Sequence, residues 1–191
     1  MISDTQLGAI EQAADEARQH VRDHLAAYGC TLDDNYSCLF DPDITLQAAV
    51  GLITGGPVEP CPNLIRRDER LAGVLEWVGI TPFIYYEAYD LVVRQRFSIA
   101  HELGHFRLHA QQREHCQCAH AAVDPQDSDD EPLATAPRFE READAFAAAF
   151  LMPQALLRAD VAQFGRCVAF LAARYQVSEP AMRRRLRRLG L

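Results

Sequence analysis

His101, Glu102, Leu103, Gly104 and His105 form an H-E-x-x-H motif in the middle of a stretch that reads as helix. On an α-helix, positions i and i+4 lie one above the other, so the two imidazoles face the same way and can share one metal ion. Glu102 falls on an adjoining face, where a carboxylate can take a proton from a water that the metal activates. The motif constrains the fold as much as the chemistry. Phe97, Ile99, Ala100 and Leu103 around it are apolar, so the helix is expected to be buried. Two histidines and a glutamate buried there need partners, and a second element must cross the helix to supply them. The leading reading is a zinc hydrolase; the plain alternative is a surface helix carrying two ordinary histidines.

A catalytic zinc takes three protein ligands and keeps one position for water. A third histidine six residues past His105 would complete one known pattern, but that position is Gln111. His109 lies one turn further along the same helix. At about 1.5 Å rise per residue it stands too far along the axis to join both other histidines on one ion, and it reads as a partly buried histidine at a helix end. Downstream, Pro137 suits a first turn and Pro153 a stop, and Phe139, Ala143, Phe146 and Phe150 recur at helical spacing as a packed face. Glu140 and Asp144, at i and i+4, share a face of this second helix. Glu140 can therefore bind metal while Asp144 accepts a hydrogen bond from a ligand imidazole. Glu142 is the competing carboxylate; it points to the other side of the helix and is expected to face solvent.

The stretch Arg94 to His105 resembles the active-site segment of the ImmA/IrrE metallopeptidases, and Glu140 to Asp144 running into Phe150-Leu151-Met152-Pro153 resembles that family's second signature. The likeness is specific over residues 83–109 and 137–153, weaker over 165–191 through Val177-Ser178, Arg185-Leu186 and Leu189-Gly190-Leu191, and absent from the first eighty residues. It implies that Glu140 is the third ligand. Where the family more often has Asn, this chain has Asp144, which keeps the hydrogen-bonding role and adds negative charge. The resemblance further implies a regulatory endopeptidase that cleaves a helix-turn-helix repressor and so derepresses stress, mobile-element or prophage genes. By size the chain is closer to the mobile-element members than to the longer radiation-response members.

The net charge of −8 is uneven, and all basic residues are arginine. From residue 137 onward ten Arg face five acidic residues, whereas the first 136 hold nine Arg against twenty-two. The acidic body argues against broad nucleic-acid binding, and the basic tail keeps that question open. There is no apolar run long enough to span a membrane and no secretory leader, so a cytoplasmic protein is expected. Of the six cysteines, Cys116 and Cys118 lie between His115 and His120. That cluster could bind a second metal, but C-x-C is tighter than the usual structural-zinc spacing, and a surface insertion is the simpler reading.

Residues 4–28 read as an amphipathic helix with Leu7, Ile10, Ala14, Ala17, Val21 and Leu25 as its stripe. Residues 30–68 show no clear period apart from short apolar runs near 46–53. Residues 74–78 and 83–86 read as strands, the second able to receive an extended peptide, and Asp90 as the cap of an active-site helix running to about 110. Residues 111–136 read as a mobile acidic insertion between the metal-binding helices. Helices are expected over 154–164, up to Tyr175, and over 179–189 with Ser178 as cap and Met182, Leu186 and Leu189 inside. The expected fold is α+β and zincin-like, with a small twisted sheet on the active-site helix. Residues 1–164 would form the peptidase domain and 165–191 a helix-turn-helix-like pair. The expected cofactor is Zn²⁺, or Mn²⁺, held by His101, His105 and Glu140, with Glu102 as general base and one of Tyr85, Tyr86 or Tyr89 as a possible assistant. Two other readings are a DNA-binding regulator using Arg183, Arg184, Arg185, Arg187 and Arg188 beside a structural metal, and a protein-interaction module with residual metal binding.

Overall fold

The computed structural model describes residues 2–28, 45–66, 69–109 and 138–191. The acidic insertion and the His115–His120 cluster lie outside the described residues. Among the described residues the architecture is mixed α+β, with seven helices and a small three-stranded sheet.

Helix α1 (Asp4–Ala27) begins at a reciprocal cap, in which Ser3 Oγ accepts from the Gln6 amide and Gln6 Oε1 accepts from the Ser3 amide. Its buried stripe is Ile10, Ala14, Ala17 and Val21, with Leu7 and Leu25 packed at the margin. Helix α2 (Leu46–Thr54) occupies what the sequence showed only as short apolar runs, capped by Thr45 and closed by Gly55 in the left-handed region.

Strands β1 (Val58–Cys61), β4 (Gly73–Val78) and β5 (Thr81–Glu87) make the sheet in the order β1-β5-β4, and β2 (Ile65–Arg66) and β3 (Glu69–Arg70) form a separate short pair. β4 and β5 are an antiparallel hairpin in which Val78 faces Thr81 and Gly73 faces Tyr86. β1 runs parallel to β5, with Val58 opposite Ile84 and Cys61 opposite Glu87. Strand β5 is therefore the central strand, and the expectation that residues 83–86 receive a peptide is corrected. Both of its edges are already hydrogen-bonded; the outer strands are β4 and β1. Glu87, almost fully buried, ties the loop after β1 to the turn after β5 by accepting from the amides of Asn63, Leu64 and Tyr89.

Helix α3 (Val92–His109) carries the H-E-x-x-H residues in the interior of the molecule. It starts two residues after Asp90: the Leu91 carbonyl accepts the first helical bonds, and Asp90 instead pairs with Arg94 at 3.1 Å. Helix α4 (Arg138–Leu151) packs between α3 and α1. Ala143, Phe146 and Phe150 are fully buried on it, as the spacing predicts. Each buried phenylalanine contributes about 1.5–3 kcal/mol. Phe139 departs from that face: it stays at the rim, with its ring edge-on to His109 at 4.8 Å.

Helices α5 (Gln154–Phe164), α6 (Val168–Tyr175) and α7 (Glu179–Leu189) follow. Ser178 caps α7, and Gly190 closes it at φ +67°. Leu171, Ala172, Tyr175, Met182 and Leu186 belong to the same core as Ile10, Leu103 and Phe146, so the C-terminal pair is built into the main body. Arg185 is buried there, donating to both carboxylate oxygens of Glu11 and to the Met152 carbonyl. Among the described residues, no single helix is long and apolar enough to cross a membrane.

Candidate metal centre

The site forms where α3 crosses α4. The crossing is close because Gly104 has no side chain: a Cβ there would lie 3.1 Å from both the Cα and the carbonyl oxygen of Ala143. Glycine on one helix and alanine on the other let the backbones approach, which brings Glu140 within reach of the histidines.

His101 and His105 turn their Nε2 atoms toward each other at 2.8 Å. Glu140 faces both, with Oε2 3.5 Å from His101 Nε2 and Oε1 3.7 Å from His105 Nε2. One ligand atom from each residue fits within a sphere of contacts no longer than 4.8 Å. Tetrahedral coordination with bonds near 2.0–2.1 Å separates ligand atoms by about 3.3 Å. The three side chains therefore need shifts of only some tenths of an ångström to enclose one ion. Two imidazoles and one carboxylate are also the donor set of open, hydrolytic zinc sites.

The back of each imidazole is held differently. His101 Nδ1 lies 2.8 Å from Asp144 Oδ1, the partner that the i, i+4 spacing from Glu140 suggests. Burial alone would lower the His101 pKa, but the hydrogen bonds with Asp144 and Glu140 outweigh it, and the nearby acids push it up to about 10. His105 Nδ1 instead meets His109 Nδ1 at 3.2 Å, and His109 Nε2 meets Glu142 Oε2 at 3.1 Å. His109 thus closes the end of α3 as a buried histidine and does not join the three converging ligand atoms.

The expectation for Glu142 is corrected. It is only 8% exposed, and it bonds His109, Arg138 at 2.7 Å and Gln6 of α1 at 3.4 Å. The helical wheel places it away from Glu140 correctly. What the wheel omits is that α1 and the end of α3 occupy that side. Burial would raise the Glu142 pKa, yet Arg138 and His109 hold it below its ordinary value. Burial lowers the pKa of His109, against the pull of Glu142.

Glu102 is fully buried, and among the described residues neither of its carboxylate oxygens has a hydrogen-bond partner. An isolated buried carboxylate is costly, so its retention beside the two histidines needs a ligand-side reason. Strand β4 touches it: a Cβ on Gly73 would lie 3.0 Å from Glu102 Oε1. That contact was not legible in the sequence; the lone glycine opening a strand was the available signal. Among the tyrosines weighed as assistants, Tyr86 is buried and shares a hydrogen bond with Gln47, whereas Tyr89 is largely exposed.

The helix pair thus brings together His101, His105 and Glu140, a group that could hold a metal ion, beside the buried Glu102. The family model for the IrrE N-terminal-like domain, Peptidase_M78, matches residues 65–187, and the chain belongs to this ImmA/IrrE family of metallopeptidases. The match begins earlier and ends later than the stretches where the resemblance is specific, and it takes in β2 to β5 and most of α7 but not β1. No curated protein matches the chain. The family implies a divalent metal, and His101, His105 and Glu140 are a group that could hold one.

Proposed function

We propose that this chain is a zinc-dependent, zincin-like endopeptidase that hydrolyses a peptide bond in one specific protein, a helix-turn-helix repressor, and thereby derepresses stress or mobile-element genes in the cytoplasm. The observation that carries the chemistry is the Glu102 carboxylate, buried without a partner beside His101, His105 and Glu140. These three residues would hold Zn²⁺, or Mn²⁺ in its place. When bound, the metal acidifies water and polarises the scissile carbonyl. Asp144 keeps His101 oriented with Nε2 toward the metal. Glu102 takes the proton of the attacking water and delivers it to the leaving amine. The protein wall around Glu102, closed by Gly73 of β4, keeps that carboxylate out of bulk solvent. An extended substrate is received along β4, the outer strand that adjoins Glu102.

The repressor target rests on the family alone. The C-terminal helices give less support to a DNA-binding reading, because Arg185 is buried against Glu11 and Arg183 is paired with Glu179. The test is to incubate zinc-loaded protein with the helix-turn-helix repressor encoded nearest to its gene and follow fragments by mass spectrometry. A single cut that disappears with chelator and with Glu102→Ala is the expected result. An intact repressor with metal bound would reject this target, and equal cleavage by Glu102→Ala would reject the mechanism.

A further inference from the structure

We propose that His109 is a positioning residue for the metal centre: anchored by Glu142, it takes the Nδ1 proton of His105 and so fixes His105 with a bare Nε2 toward His101 and Glu140. This deepens the metallopeptidase reading and rests on it.

The argument is one of proton placement. A neutral histidine has one donor and one acceptor nitrogen. His105 Nε2 can serve as a ligand only without a proton, which places the proton on Nδ1. The atom facing that proton is His109 Nδ1, at 3.2 Å, and it must accept. The His109 proton then lies on Nε2, which faces Glu142 Oε2 at 3.1 Å. The second Glu142 oxygen accepts from Arg138 Nε at 2.7 Å and from Gln6 Nε2 at 3.4 Å. Every donor in this chain meets an acceptor. In the reverse direction, a neutral His109 donating from Nδ1 would present a bare Nε2 to a carboxylate, two acceptors face to face. A doubly protonated His109 would satisfy Glu142 but would force the His105 proton onto Nε2, the atom that converges with His101 and Glu140. Only the first arrangement satisfies both the hydrogen bonds and the ligand.

The two ligand histidines are thus oriented by different means. His101 leans directly on Asp144, a carboxylate exposed by about a quarter of its side chain. His105 leans on a neutral imidazole that is itself tethered to α4 and α1 through Glu142. Burial suits this design, because His105 and His109 are both nearly inaccessible to the water that could otherwise take the Nδ1 proton.

The experiment measures Zn²⁺ affinity by competition with a chromophoric chelator and the visible spectrum of the Co²⁺-loaded protein, alongside thermal unfolding of the metal-free protein. His109→Phe keeps a ring but removes the acceptor, and is expected to weaken Zn²⁺ binding about 10–100-fold and alter the Co²⁺ spectrum. His109→Gln keeps an acceptor toward His105 and a donor toward Glu142, and is expected to stay within a few-fold of the parent. Should His109→Phe fail to fold, Glu142→Leu leaves His109 in place without its anchor and is expected to weaken Zn²⁺ binding several-fold. Parental affinity and spectrum in a folded His109→Phe or Glu142→Leu variant would overturn the proposal. An equal loss in His109→Gln and His109→Phe would also overturn it, by showing a purely structural role. Failure of the parent itself to bind Zn²⁺ would instead remove the reading on which it rests.

Discussion

Buried charged groups in two parts of this molecule are treated in opposite ways. Around α5, α6 and α7 each one closes on another group of the same chain. Asp160 accepts from Arg174 Nε at 2.7 Å and from the Tyr175 hydroxyl at 2.8 Å; burial and the Asp160 carboxylate push the Tyr175 pKa up, against the pull of Arg174. Arg185 closes on Glu11 and the Met152 carbonyl. At the crossing of α3 and α4, Glu102 closes on no group among the described residues, and His101, His105 and Glu140 turn donor atoms toward one another. A fold that satisfies buried charges at one end and leaves them converging at the other supports the proposal that the second set is kept for a metal ion.

The largest expected effect tests that contrast at Glu102. Glu102→Gln removes the proposed general base, and peptide hydrolysis should fall at least about 10³-fold, within the range attributed to acid–base catalysis. Zinc binding should persist. The metal-free protein should unfold no more easily than the parent, because a partnerless buried carboxylate has been replaced by a neutral amide. Urea unfolding that shows a clear loss of stability would place Glu102 with the architectural pairs instead. The next effect is the converse. Glu11→Ala leaves Arg185 buried with one partner fewer, and should destabilise the protein by about 3 kcal/mol. Zinc affinity per folded molecule should not change; a parallel drop in affinity would break the distinction between the two regions. The smallest effect is at their border with the sheet. Gly73→Ala puts a methyl group against Glu102 Oε1, and should lower turnover about tenfold while leaving zinc affinity unaltered, a shift of about 1.4 kcal/mol in the barrier. Unchanged turnover would mean that Glu102 has room to move.

Much of the helical framework was legible because apolar residues recur at helical spacing between clear stops. Ile10, Ala14 and Val21 on α1, Phe146 and Phe150 on α4, and Met182 and Leu186 on α7 are all inside. The approach of His101, His105, Glu140 and Asp144 was legible too, since two i, i+4 pairs on two helices can meet. Most of the failures are matters of what lies beside an element. Glu142 was misplaced because a wheel describes one helix and is silent about α1. Residues 83–86 were read as a free strand because the parallel partner, β1, is short and carries Pro60. Helix α2 escaped notice because nine residues that include Gly51 carry too little periodicity. The role of Gly73 depends on a contact with Glu102 across the sheet–helix boundary, which no local pattern encodes.

Helix α4 carries Glu140 and Asp144, and its final carbonyls are held from outside. Arg18 of α1 donates to the carbonyls of Ala149 and Phe150, and Arg185 of α7 donates to that of Met152. Through Arg185, helix α7 therefore holds the chain just past the end of the helix that carries Glu140. A chain cut before α6 would not yield a minimal peptidase freed of an accessory module. It would lose the bond from Arg185 to the Met152 carbonyl and the part of the shared core that Leu171, Tyr175, Met182 and Leu186 supply.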